Sequence, residues 1–325
     1  MINSSKNLKI VTAGNIDEII NLTESEAMER IDVCRTKVSA LTSADPITGA
    51  SVGNIGTGKS LVTKSLRSFQ FVPIPENTED VVLTDLYYPK RADYAQILQV
   101  HLRGTRGAHA WLALHLKHRL GLSSWQDRST YEEPLAFMPS LHDMKNPNTN
   151  KPDLDDTEFE RLKTYFEVQY SEGAKTQAEY EHRVARSKSN SVFGSKDLVN
   201  LETDLAILFG RGLPSVDVLV YMYGNRTSAW EQLQRRHAPY ERLDAPNEKA
   251  AGLPEELHKY LHGRYEKFLK LLDDTAWYRN HVIPFDQDRL SITTRRGELF
   301  LVESLIQVLE ERKIERSRLR ETSNV

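Results

Sequence analysis

Apolar positions recur along the chain in two periods. Val216-Asp217-Val218-Leu219-Val220-Tyr221-Met222 is a nearly continuous β-prone run, as expected of a strand covered on both faces of a parallel sheet. Shorter strand candidates lie at residues 8–12, 47–52, 71–74 and 281–285. Helical spacing is carried by Met28, Ile31, Val38 and Leu41 over residues 24–41, and by Leu61, Val62, Leu66 and Phe69 over 59–69. The longest helical pattern covers 92–120, with Ile97, Leu98, Leu102, Trp111, Leu112 and Leu116 on its apolar face and Gly121 as a stop. Further helices are predicted from about Thr130, over 158–184, 227–236, 254–272 and 297–311. Polar stretches at 143–156 and 188–195 read as loops. Strands alternating with helices predict a three-layer α/β domain around a parallel sheet.

Composition narrows the class. The 325 residues include 43 Lys and Arg against 46 Asp and Glu, so no global basic field points to nucleic acid or a membrane surface. Cys34 is the single cysteine, which removes an internal disulfide scaffold and a Cys-based zinc cluster. No apolar run approaches the ~18–20 residues of a membrane span. The first twenty residues resemble neither a secretory signal nor a transit peptide. The expectation is a soluble, intracellular, cytoplasmic globular protein. His115 and His118 have i, i+3 spacing on the long helix, but no third ligand is apparent, so no metal site is expected there.

Gly53-Asn54-Ile55-Gly56-Thr57-Gly58-Lys59-Ser60 fits G-x-x-x-x-G-K-[ST]. The glycines let backbone N–H groups turn inward toward phosphate oxygens, and the following helix adds its positive end. Lys59 is placed to reach β- and γ-phosphates, and Ser60 to hold Mg²⁺. The pattern arises by chance about once in a hundred chains of this length. One feature is unusual: the preceding strand carries Thr48, Gly49 and Ser51 where a strongly apolar strand is the norm.

Gly53 to Ser60 resembles the phosphate loop of the deoxynucleoside kinases, G-N-I-G-[SA]-G-K-S. Gln126-Asp127-Arg128-Ser129-Thr130-Tyr131-Glu132-Glu133 is similar to that family's [ED]-R-S-x-Y-x-D motif. Tyr87-Tyr88-Pro89-Lys90-Arg91 followed by Tyr94-Ala95-Gln96-Ile97-Leu98-Gln99 resembles its Y-x-x-P-x-R…F-x-x-Q segment. Residues 214–221 and 252–257 resemble its "PDLLIYL" strand and "IPLEYL" helix start, so the likeness spans about 47–286. It implies a P-loop kinase fold with a short lid, moving the γ-phosphoryl of ATP to a deoxynucleoside 5′-hydroxyl in nucleotide salvage, with Mg²⁺ and as a homodimer. It also implies residue roles. Glu76 is the base toward the hydroxyl, with Glu79 as fallback because the usual Glu-Pro is here Pro75-Glu76. Arg128 lies beside the transferred phosphoryl, and Asp127 near Mg²⁺. Tyr87 or Tyr88 contacts the sugar 3′-hydroxyl. Gln99 and Arg106, seven residues apart and so on one helix face, read the base, with Glu133 orienting the arginine. Arg236 aligns with the middle arginine of the lid.

The departures concern the lid. Gln232 and Ala238 stand where the family has its outer two arginines, and Arg235 or Arg242 could compensate. Residues 172–213 form an insertion. The resulting division is an N-terminal extension over 1–45, a kinase-like domain over 46–315 and a flexible tail over 316–325, with the basic run 312–320 expected to be a fraying end. The leading expectation is an ATP-dependent (deoxy)nucleoside kinase. The alternative is a catalytically weak or inactive kinase-fold protein that binds nucleotide or serves as an assembly subunit.

Overall fold

The computed structural model describes residues 8–11, 16–75, 94–145, 150–171, 215–235, 255–275 and 277–323. Six strands form one sheet: β1 (Lys9–Ile10), β2 (Thr48–Gly53), β3 (Val72–Ile74), β4 (Ser124–Gln126), β5 (Val218–Tyr223) and β6 (His281–Asp286). Their order is β1-β6-β5-β2-β4-β3 and every pairing is parallel. Chain order therefore splits on either side of β2. In an open parallel sheet, such a split leaves a crevice at the carboxyl ends of the strands.

The helices are α1 (Ile16–Asn21), α2 (Glu24–Ala44), α3 (Lys59–Arg67), α4 (Tyr94–Leu120), α5 (Met138–Asp143), α6 (Asp156–Ser171), α7 (Arg226–Arg235), α8 (Glu255–Glu266), α9 (Phe268–Thr275) and α10 (Arg295–Ser323). Strand alternation assigns the two core faces. Val218, Val220 and Met222 point to a core shared with α2, α3 and α10, including Val38, Leu66 and Leu305. Leu219 and Tyr221 point to the other, with Ala136, Phe166, Leu261 and Phe268 from α6, α8, α9 and the segment after β4. The result is the three-layer α/β arrangement the pattern predicts. No helix among the described residues is long and apolar enough to cross a membrane.

The small residues of β2 have a specific cause. Trp125 of β4 lies over Gly49 so closely that a Cβ there would sit 2.2 Å from its ring. Its indole N–H donates to Ser51 Oγ at 2.9 Å. A bulkier, wholly apolar β2 would evict the tryptophan and leave that donor unpaired.

Several expectations need correction. The helix expected near Thr130 begins as a π-helical turn, Glu133–Phe137, with Pro134 in its first turn, before α5 continues it. The single helix expected over 254–272 is interrupted, because Lys267 N–H bonds back three residues to Arg264 and breaks the i→i−4 ladder. The basic run after 311 is part of α10 rather than a fraying end. It is held because Arg312 Nη1 lies 3.0 Å from Asp217 Oδ1 and Arg316 Nη1 lies 2.6 Å from Asp45 Oδ1. At the other terminus, β1 pairs with β6, and α2 contributes Ala27, Ile31 and Val38 to the same core as α10. Thr23 and Glu26 form a reciprocal capping box at the start of α2. The insertion 172–213 and the predicted loop at 188–195 lie outside the described residues.

Candidate active site

Residues 53–60 leave the end of β2 and turn into α3. At Gly56, φ is +88°, and a Cβ would sit 2.2 Å from the Ala229 carbonyl oxygen of α7. The position therefore demands glycine twice, for conformation and for close approach. Asn54 organises the turn. Its Oδ1 accepts from Ile55 N–H at 2.8 Å, and its carbonyl accepts from Thr57 Oγ1 at 2.8 Å. The loop is braced from α8. The buried His258 donates through Nε2 to the Ile55 carbonyl at 3.0 Å, and its own carbonyl accepts from Asn54 Nδ2 at 3.3 Å. Burial lowers the His258 pKa, so the ring is held neutral.

Lys59 is buried and folds back over the loop. Its Nζ donates to the carbonyls of Gly53 at 2.8 Å and Asn54 at 2.6 Å. The next residue faces β4: Ser60 Oγ donates to Asp127 Oδ2 at 2.7 Å. A hydroxyl and a carboxylate thus meet at the lysine end of the loop. Both are hard oxygen donors, the set that suits Mg²⁺ when substrate phosphates complete its shell.

Arg128 follows Asp127 and is buried. Its Nη1 pairs with Glu132 Oε1 at 3.1 Å, and its guanidinium lies 5.2 Å from the Phe137 ring centroid. Arg106 of α4 faces the same ring at 4.7 Å and pairs with Glu133 Oε2 at 2.9 Å. Both members of that second pair are nearly fully buried. The π-turn is what sets Glu133 and Phe137 at its two ends, each toward an arginine. A continuous path therefore runs from Gly53 through Glu132, Arg128 and Phe137 to Arg106 and Glu133.

Of the residues singled out from sequence, the structure brings together Gly53 to Ser60, Asp127, Arg128, Arg106 and Glu133. Gln99 takes its place on α4. Glu76 and its fallback Glu79, Tyr87, Tyr88, Arg236, Ala238 and Arg242 lie outside the described residues. In α7, Gln232 is present and Arg235 is exposed, 3.4 Å from Glu231. Three site residues carried no role from sequence: Phe137, His258 and Glu132. Of these, Glu132 alone stood inside the motif segment 126–133.

No family model matches the chain, and no curated protein matches it. Solved structures do. A deoxyadenosine kinase from M. mycoides, described with products dCMP and a flexible dCDP bound, is 16% identical, with a TM-score of 0.50 over 80% of this chain and 99% of that one. The same enzyme with dATP is 16% identical, TM-score 0.44, over 73% and 90%, and with dCTP 17% identical, TM-score 0.43, over 78% and 97%. The first of these likenesses, read with the six-stranded parallel sheet, shows that the chain has a deoxynucleoside kinase-like P-loop fold.

Proposed function

We propose that this protein transfers the γ-phosphoryl group of ATP to the 5′-hydroxyl of a (deoxy)nucleoside, with Mg²⁺, as a salvage enzyme. The observation that carries the reading is the unbroken path from the phosphate loop to the Arg106–Glu133 pair. It joins a phosphate cradle to one aromatic ring and one planar donor fork, groups that a nucleoside base can use. The likeness in fold to a deoxyadenosine kinase supports the same substrate class.

The chain's residues would act as follows. Backbone amides of Gly53 to Gly58 bind the phosphates, and Lys59 exchanges its two loop carbonyls for phosphate oxygens. Ser60 and Asp127 hold Mg²⁺, which when bound neutralises charge on the phosphates. Glu76 takes the proton from the 5′-hydroxyl as its oxygen attacks the γ-phosphorus and the bond to the β-phosphate oxygen breaks. Arg128 stabilises charge on the transferred group. Tyr87 or Tyr88 contacts the sugar. Phe137 stacks on the base, while Gln99 and Arg106 hydrogen-bond its edge and Glu133 holds the arginine in plane. Arg236 closes from the lid. The enzyme is read as a cytoplasmic homodimer.

The test is phosphoryl transfer from Mg-ATP to each of the four deoxynucleosides, run beside Lys59→Ala. Turnover on at least one, abolished in the variant, supports the kinase. One observation favours a nucleotide-binding protein with little turnover: Arg235, which could compensate for the missing outer lid arginine at Gln232, faces Glu231. That reading expects Mg-ATP binding with no acceptor among the four.

A further inference from the structure

Glu132 is fully buried, and its two carboxylate oxygens do different things. Oε2 accepts from Ser129 N–H at 3.1 Å, a contact within the turn that follows β4. Oε1 accepts from three groups that local structure does not call for: Arg128 Nη1 at 3.1 Å, Gly53 N–H at 3.2 Å and Tyr265 hydroxyl at 2.5 Å. These donors come from β4's exit, the first residue of the phosphate loop and α8. One oxygen thus ties the arginine expected beside the transferred phosphoryl to the loop that binds phosphate. Burial and the Glu132 charge keep the Tyr265 hydroxyl protonated, so it remains a donor.

We infer that Glu132 is a positioning residue for phosphoryl transfer: it holds the Arg128 guanidinium in register with the phosphate loop. The inference rests on the kinase reading above. Rate in such a reaction comes from placing charge where charge develops, so an arginine released from its anchor loses rate more than affinity. Glutamine at 132 keeps the volume but removes the charge, and its NH₂ would face at least one of the four donors.

The experiment compares wild type, Glu132→Gln, Glu132→Asp, Arg128→Ala and the Glu132→Gln/Arg128→Ala double variant in steady-state kinetics. The expected result is a kcat about ten- to a hundredfold lower in Glu132→Gln, with KM for both substrates within about threefold. Aspartate, which keeps the charge, restores part of the rate. In the Arg128→Ala background the glutamine costs less than about threefold further. Equal losses in both backgrounds, or a loss carried by KM, would overturn the inference and assign Glu132 a purely structural role. If wild type transfers no phosphoryl group, the kinase reading fails, and the anchoring is read instead from the Arg128 side-chain ¹⁵N resonances of the full chain with Mg-ADP. Hindered guanidinium rotation in wild type but not in Glu132→Gln supports the anchor. The same rotation in both overturns it.

Discussion

Ser60 Oγ and Asp127 Oδ2 lie 2.7 Å apart, joining the lysine end of the phosphate loop to the residue that follows β4. The bond makes two residues 67 positions apart into one oxygen site at the sheet's carboxyl edge. Asp127→Asn keeps the shape and removes the charge. Mg-ADP affinity measured by calorimetry is expected to fall at least about tenfold, while ADP binding in chelator changes little. Equal losses with and without Mg²⁺ would assign Asp127 to the loop's architecture instead.

At the opposite edge of the sheet, Asp217 is buried and accepts from Lys117 Nζ at 2.7 Å and Thr48 N–H at 2.7 Å, with Arg312 Nη1 3.0 Å away. Burial alone would raise its pKa, but Lys117, Arg312 and the Thr48 amide outweigh that and bring it down to about 2. The folded pKa is thus below the unfolded value of about 3.9, so the contribution is complete above pH 5 and fades as pH falls toward 2. Two units correspond to about 2–3 kcal/mol. Asp217→Asn is expected to cost about 3–5 kcal/mol at pH 7, because it removes the buried charge that faces Lys117 and Arg312, and to flatten the acid limb of stability. Urea unfolding between pH 3 and 7 checks both.

The Arg106–Glu133 pair allows a separation of stability from recognition. Arg106→Ala removes the cation that faces the buried Glu133 carboxylate and is expected to cost about 3–5 kcal/mol by urea unfolding. The Arg106→Ala/Glu133→Ala double variant recovers part of that stability. It should still bind nucleoside at least about tenfold more weakly than wild type, since the donor fork is gone. Recovery of nucleoside affinity along with stability would contradict the pocket assignment.

Gly56 offers a local test of the loop. Gly56→Ala meets the Ala229 carbonyl at 2.2 Å and retains an unfavourable φ of +88°. We expect a loss of about 1–3 kcal/mol in thermal unfolding, together with weakened nucleotide binding, because α7 must withdraw. An unchanged melting temperature would contradict the close approach.

How much of this was legible beforehand follows from how local each signal is. The phosphate loop and Asp127-Arg128 announce themselves because the chemistry needs particular residues in short order. The long β5 run reads as a buried strand because both its faces are covered. Thr48, Gly49 and Ser51 looked out of place in β2, since the reasons lie elsewhere in the chain. Trp125 needs the space over Gly49 and the hydroxyl of Ser51, and Asp217 takes the Thr48 amide. The brace from His258 spans 203 residues to Ile55, and no local pattern marks it. The basic run after residue 311 read as a solvated end because its charges were visible and its partners, Asp217 and Asp45, were not adjacent in sequence.

The central claim is that a nucleoside 5′-hydroxyl receives the γ-phosphoryl group. Its most direct test is transfer from γ-labelled ATP to each deoxynucleoside and to its 2′,5′-dideoxy analogue, in which that hydroxyl is missing. The account predicts label in at least one deoxynucleoside and none in its analogue. Label in the analogue, or none in any nucleoside while Mg-ATP binds, would contradict it.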